Sequence, residues 1–174
     1  MNPAMNPAMN PVVNPVVKEL YFDEVEVGAR GVSPPRTVTE ADIDTFADLT
    51  GDHTPVHTDE AYARTTPFGT RVAHGLLGLS LADGLKSRSD LRFVPGMSLG
   101  WTWDFTGPIK INDTVQVRFH VASARLSRSR AGWGILVLPA EMRNQHGEVV
   151  QRGEHRLMIP CRPGFAPAAA GDAP

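Results

Sequence analysis

A chain of 174 residues, 41% of them hydrophobic, is long enough to bury the core of one domain. Its formal net charge of -2, with acidic and basic residues interspersed, gives no indication of binding to nucleic acid or to an anionic membrane surface. The single cysteine, Cys161, excludes an intrachain disulfide and fits a reducing compartment, so we expect a cytoplasmic protein. No apolar stretch approaches the length of a transmembrane helix.

The chain begins with a tetrad repeat that places a proline after asparagine at every fourth position from Pro3 to Pro15. Each proline removes a backbone donor and restricts the residue before it, so the repeat excludes a helix, including the apolar helix of a signal peptide. We predict that residues 1–18 form an extended or flexible arm, or an arm that docks on a neighbouring subunit. Residues 163–174 are predicted to form a second tail, which leaves residues 19–162 as the folded domain.

Two short helices are predicted in the first half of this domain. Thr39 is a candidate N-cap with Asp42 as a weak capping-box partner, and Gly51 ends the apolar-periodic segment that follows. A second helix is predicted to begin at Thr58, because acidic residues occupy the turn after it, and to end before Pro67.

A third helix is predicted over His74–Leu85, where apolar or small residues occupy nearly every side. A helix of this composition is typically buried, and its small residues allow other backbone to approach closely. We therefore expect it to lie at the centre of the domain, with a sheet around it.

The remaining segments predict that sheet. Residues 99–105 and 115–121 alternate apolar with polar or small side chains, which indicates strands with one buried face. Two more strands are predicted over Trp133–Met142 and Val149–Ile159, and an early one over Val32–Val38, which Pro34 and Pro35 would confine to an edge. The predicted fold class is α+β, with a curved antiparallel sheet wrapped around a central buried helix.

Two titratable side chains, Asp52 and His57, lie five residues apart around the turn that contains Pro55. Each alone has an ordinary explanation, as a turn residue or a polar loop residue. Together with His74-Gly75 at the start of the central helix, they form an acid/base pair followed by a helix N-terminus. Such an arrangement suits proton transfer at a carbon next to a carbonyl.

This pattern resembles the MaoC-like, or (R)-specific, enoyl-CoA hydratases, which have the hot-dog fold. The chain departs from the family motif at Thr54, where the family has asparagine, and this puts substrate choice or rate in doubt. It also carries Asp83 where some relatives have a serine on the central helix. The matching positions are Phe46, Leu49-Thr50, Gly51, Asp52, Pro55, His57, Ala63 and His74-Gly75.

The resemblance implies reversible hydration of a 2-enoyl-CoA to a 3-hydroxyacyl-CoA, with no cofactor beyond the CoA thioester. It implies that Asp52 and His57 form the catalytic pair and that the backbone N–H of Gly75 is the oxyanion donor. Which of the two side chains acts on water stays open. It also implies a homodimer, or a higher oligomer of dimers, with an acyl-CoA channel near the subunit boundary. The candidate substrate-binding residues are Thr54, Pro55, His74 and Ser80.

Two other functions stay open. The same fold could hydrolyse a thioester, although an Asp/His pair with a following His-Gly argues against this. The chain could also be a non-catalytic acyl-CoA-binding subunit, which only Thr54 favours.

Two further clusters are candidate ligand sites. His53 and His57 are spaced as H-x-x-x-H, but on a loop this spacing does not place both rings on one face, so we predict no metal site. Arg125, Arg128 and Arg130 could pair with CoA phosphates, although a solvated hairpin loop is the favoured interpretation.

Overall fold

Nine strands and four α-helices make up residues 17–166, the part of the chain that the computed structural model describes. The predicted arm and tail lie largely outside this range and stay predictions. The helices are α1 (Glu40–Thr50), α2 (Pro55–Thr58), α3 (Glu60–Ala63) and α4 (Gly75–Lys86), and a 3-10 turn covers Phe22–Glu24. The strands are β1 (Glu19–Leu20), β2 (Arg30–Val32), β3 (Arg36–Thr37), β4 (Arg92–Phe93), β5 (Met97–Phe105), β6 (Thr114–His120), β7 (Ser123–Leu126), β8 (Trp133–Arg143) and β9 (Val149–Pro160).

The boundaries of α1 are those that the sequence predicts. Thr39 accepts a hydrogen bond from the backbone N–H of Asp42, whose carboxylate in turn accepts from the backbone of Thr39. This reciprocal capping satisfies two N–H groups that a helix end otherwise leaves without partners. Gly51 ends the helix in the left-handed region, with a φ of 76°, and so turns the chain directly into residues 52–54, the Asp52 loop.

The predicted start of the second helix at Thr58 is wrong. Pro55 begins a separate single turn, α2, because its fixed φ and missing N–H suit the first position of a helix. Asp59 then caps α3 by accepting from the backbone N–H of Tyr62. His57 therefore lies on a helical turn and not on an extended loop.

The main sheet has the strand order β2-β6-β8-β9-β5, and β3 and β7 pair with β6 and β8 respectively. All pairs in this sheet are antiparallel, while β1 and β4 form a separate parallel pair. The later strands confirm the predicted ones, and β7 was not predicted. The early strand is split into β2 and β3 around Pro34 and Pro35, because neither proline can donate to the ladder of β6.

Helix α4 lies against one face of this sheet, and His74 is its N-cap. Leu77, Ala82 and Leu85 belong to the same buried core as the inward-facing residues of β6 and β8. The prediction that α4 is buried on nearly every side is wrong for one face, since Leu76 is 59% exposed. The sheet of the described chain covers only the opposite side of the helix. No helix among residues 17–166 has the length and apolar character needed to cross a bilayer.

Truncation of Leu138 tests whether the α4–sheet core stabilises the fold. Leu138 on β8 is fully buried, so Leu138→Ala should lower the free energy of unfolding by about 2–5 kcal/mol through lost burial and a residual cavity. Leu49→Ala is the matched control, because Leu49 is 80% exposed and its truncation should change stability by no more than about 0.5 kcal/mol. Urea unfolding of both variants measures the difference, and equal effects would contradict this description of the core.

Candidate active site

The carboxylate of Asp52 is held by hydrogen bonds from a neighbouring residue. Its Oδ1 accepts from the hydroxyl of Thr54 at 2.6 Å and from the Thr54 backbone N–H at 3.2 Å. These two bonds favour the charged form and lower the pKa of Asp52 below its ordinary value. Thr54 thus performs a defined task in this chain, although the family pattern has asparagine there.

The imidazole of His57 is held by the segment that precedes α4. Its Nδ1 lies 2.8 Å from the carbonyl oxygen of Val72. Because a carbonyl oxygen only accepts, Nδ1 must carry the hydrogen, and the neutral ring then has its lone pair on Nε2. The backbone N–H of His57 donates to the carbonyl of Thr54 at 2.9 Å. Both the ring orientation and the tautomer of His57 are therefore set by backbone groups.

His74 connects the two halves of the site. Its ring stacks on that of His57, with 3.8 Å between centroids, and it also packs against Phe46. Its Nε2 lies 2.8 Å from the backbone carbonyl of Asp52, so this nitrogen donates. His74 is 2% exposed, and its Nδ1 has no partner among the described residues. The side chain fixes the Asp52 loop to the start of α4.

Gly75 begins α4 beside a cavity of about 430 Å³. A Cβ at this position would lie 2.7 Å from the ring of Phe105, so a side chain would not fit without a shift. Backbone N–H groups in the first turn of a helix lack intrahelical partners and carry partial positive charge. The cavity wall is mainly apolar, and its polar side chains are those of His57, Thr106 and Gln151. The apolar part includes Val56, Phe68, Val72, Phe105 and Ile109.

Gln151 is a buried polar residue of this wall that the sequence analysis missed. Its Nε2 donates to the carbonyl oxygen of Gly75 at 3.0 Å, and its Oε1 accepts from the indole of Trp103 at 2.9 Å. An indole N–H can only donate, so Trp103 fixes which end of the amide faces α4. Gly78 provides the space, since a Cβ there would lie 2.3 Å from Gln151. The one signal for Gln151 in the sequence is a polar residue at a buried position of a predicted strand.

The remaining candidate residues do not line the cavity. Pro55 is exposed at the start of α2. Ser80 is exposed on α4, donates to the carbonyl of Leu76 at 2.9 Å and does not line the cavity. Arg125 lies on β7, paired with Ile135 of β8, and not in the predicted hairpin loop, and Arg130 stacks on Trp133 at 4.4 Å. The structure thus brings together Asp52, Thr54, His57, His74 and Gly75, but not Ser80.

One group of side chains could hold a metal ion. Ligand atoms of Asp52, His57 and His74 lie within 4.8 Å of one another, a set that the sequence spacing did not indicate. His53, which the sequence spacing pairs with His57, lies 3.6 Å from Asp48 instead. A metal and the protons of an acid/base pair would compete for the same atoms. What the arrangement can do without a metal is hold a water between Asp52 and His57, and move protons beside an apolar cavity.

Thr54→Val tests the hydrogen bond that holds Asp52. Valine keeps the shape but removes the hydroxyl donor, so the pKa of Asp52 should rise toward its ordinary value. The folded-state pKa is lowered in the parent protein, so the carboxylate stays charged to a lower pH there than in the variant. Carboxyl-carbon NMR titration of Asp52 measures the shift. Thr58→Val is the control, because its hydroxyl donates to backbone carbonyls and not to Asp52, and an equal shift in both variants would contradict the assignment.

Comparisons with known proteins agree with this geometry. The chain is 32% identical to the 3-hydroxybutyryl-CoA dehydratase of Methylorubrum extorquens, over 86% of this chain and 90% of that protein. It is 30% identical to the (R)-specific enoyl-CoA hydratase of Rhodospirillum rubrum, over 82% of this chain and 93% of that one. The solved structure of R-hydratase PhaJ1 from Pseudomonas aeruginosa superposes with a TM-score of 0.72 at 30% identity, covering 88% of this chain and 97% of that one.

The fold and the family follow from these comparisons. A solved structure described as a double hot-dog fold superposes with a TM-score of 0.72 at 20% identity, and this confirms the predicted hot-dog fold. The family model described as "MaoC like domain" matches residues 25–132, which include the Asp52 loop, α4 and strands β2 to β7. The chain belongs to the MaoC-like dehydratase family.

Proposed function

We propose that this protein catalyses the reversible hydration of a 2-enoyl-CoA to a 3-hydroxyacyl-CoA. The observation that carries the proposal is the meeting of two titratable side chains and a helix N-terminus beside one apolar cavity. His57 and Gly75 line the cavity, and the charged carboxylate of Asp52 lies within 4.8 Å of a ring nitrogen of His57. Relatives named 3-hydroxybutyryl-CoA dehydratase and (R)-specific enoyl-CoA hydratase support the same reaction, and the second name favours an R-configured product.

The proposed chemistry is the addition of water across the double bond. The water oxygen bonds to C3 while C2 receives a proton, so the atoms of one water molecule balance the reaction without a cofactor beyond the substrate thioester. Asp52 and His57 hold the water and pass one of its hydrogens to C2, while the other hydrogen stays on the new C3 hydroxyl. The thioester oxygen gains negative charge as the enolate forms, and the N–H of Gly75 at the helix start stabilises it.

The proposed assembly is a homodimer. Among the described residues, β5 pairs only with β9, so its other edge has free backbone groups. Leu76 of α4 and Leu99 and Phe105 of β5 are exposed apolar side chains near that edge. A second copy could pair its own β5 there and cover these side chains, beside the cavity that Phe105 lines.

Loss of the enoyl-thioester absorbance of crotonyl-CoA tests the function. Asp52→Ala and His57→Ala should each lower kcat by about 10² or more, the usual scale for a lost acid/base group. Asp48→Ala and His53→Ala are matched controls, because these side chains lie one turn before and one residue after Asp52 and contact each other. Both controls should keep parent activity.

The remaining outcomes separate the alternatives. Full activity in Asp52→Ala or His57→Ala would contradict the assigned pair. Release of free thiol from acyl-CoA would indicate a thioesterase. Binding of crotonyl-CoA and of longer enoyl-CoAs without turnover would indicate a non-catalytic subunit.

A further inference from the structure

Arg71 is a charged residue with only 5% of its surface exposed. Its two terminal nitrogens donate to the carboxylates of Glu40 and Asp44. These acidic residues are four positions apart and therefore lie on one face of α1. Its Nε donates to the backbone carbonyl of His57 at 2.5 Å. One guanidinium thus connects α1 to the single turn that carries a member of the proposed catalytic pair.

This carbonyl is one that α2 cannot satisfy by itself. His57 is next to the last residue of α2, and the final carbonyls of a helix have no intrahelical partner. A single turn is also too short to be stable alone. A cation at its C-terminal end both satisfies the carbonyl and complements the dipole. The position of His57 therefore depends on a donor from outside its own turn.

A buried arginine is a costly way to hold two segments together, since an apolar side chain of similar volume avoids the desolvation of a charge. What the guanidinium adds is direction, because its donors point along fixed directions in one plane. Here one edge faces α1 and Nε faces His57. Such directed hydrogen bonds are more typical of a residue that positions another side chain than of one that only fills space in the core.

The residues around Arg71 complete the support of His57. The backbone N–H of Arg71 donates to the carboxylate of Glu60 at 3.1 Å, which holds the backbone at Arg71 in place. The next residue, Val72, donates to the carbonyl of Val56 at 3.3 Å and accepts from Nδ1 of His57. His57 is therefore held by adjacent residues at two points, its carbonyl by Arg71 and its ring by Val72.

We propose that Arg71 is a positioning residue for catalysis, which acts by holding His57 so that its Nδ1–H stays on Val72 and its Nε2 stays directed at the reacting atoms. The inference rests on the proposed hydratase function. Arg71 itself does not contact the substrate. Small displacements of a reacting group lower the rate without weakening substrate binding, so the effect belongs to kcat and not to KM.

Two substitutions of Arg71 test this role. Arg71→Lys keeps a cation for Glu40 and Asp44 but removes the Nε donor, and Arg71→Met removes both. Each should lower kcat for crotonyl-CoA by about tenfold or more, with KM within about twofold of the parent value. Arg64→Met is the matched control, because Arg64 also pairs with a carboxylate beside the site, Glu60, but donates to no atom of His57. It should keep parent kcat.

Nitrogen-15 NMR of the His57 ring gives a readout that does not depend on activity. The parent should show the Nδ1–H tautomer, and the Arg71 variants should show a mixture of tautomers. A parent protein inactive on all enoyl-CoAs would contradict the proposed function, yet the tautomer change would still support the positioning role. Parent kcat and an unchanged ring spectrum in folded Arg71→Lys would overturn the inference. If Arg71→Met does not fold, Arg71→Lys alone decides.

Discussion

The packing of the α4 N-terminus against the last strand is the contact on which the site depends. Gln151 of β9 donates to the carbonyl of Gly75, and Trp103 of β5 orients the Gln151 amide. The same helix start holds His74, whose ring contacts His57 and whose Nε2 holds the Asp52 loop. A displacement of α4 would therefore move the proposed oxyanion donor and both members of the acid/base pair together.

Local signals in the sequence predict much of the fold. Thr39, Asp42 and Gly51 bound α1 through interactions within a few residues, and the alternation predicted for residues 115–121 is seen in the burial of β6. Predictions failed where the outcome depends on distant neighbours. The apolar composition of α4 indicates a buried helix, yet Leu76 is exposed because no described strand covers that side. Leu99 and Phe105 are exposed on β5 for the same reason, since β9 is its one partner among the described strands.

In the candidate site, too, local sequence signals predict some residues and miss those that depend on distant contacts. A motif in one stretch of chain indicates Asp52, His57 and Gly75. The structure places His57 and Gly75 at one cavity and Asp52 beside His57, while their roles stay proposals. The residues that hold them were not predicted. Arg71 reaches carboxylates 27 and 31 positions away, and Gln151 lies 76 positions from Gly75. Periodicity and spacing contain no information about such partners, because each contact exists only once distant segments have packed together.

The separation between Gly75 and Gln151 also has a consequence for the order of folding. Helix α4 is synthesised well before β8 and β9, two strands of the sheet against which it packs. Contacts of this sequence separation carry a high loop-closure cost and form late. Until β6, β8 and β9 have all left the ribosome, the sheet that covers the apolar face of α4 is incomplete, and a nascent chain that stops short of them exposes that face to aggregation. We expect the catalytic geometry to be among the last features that the chain acquires during its synthesis.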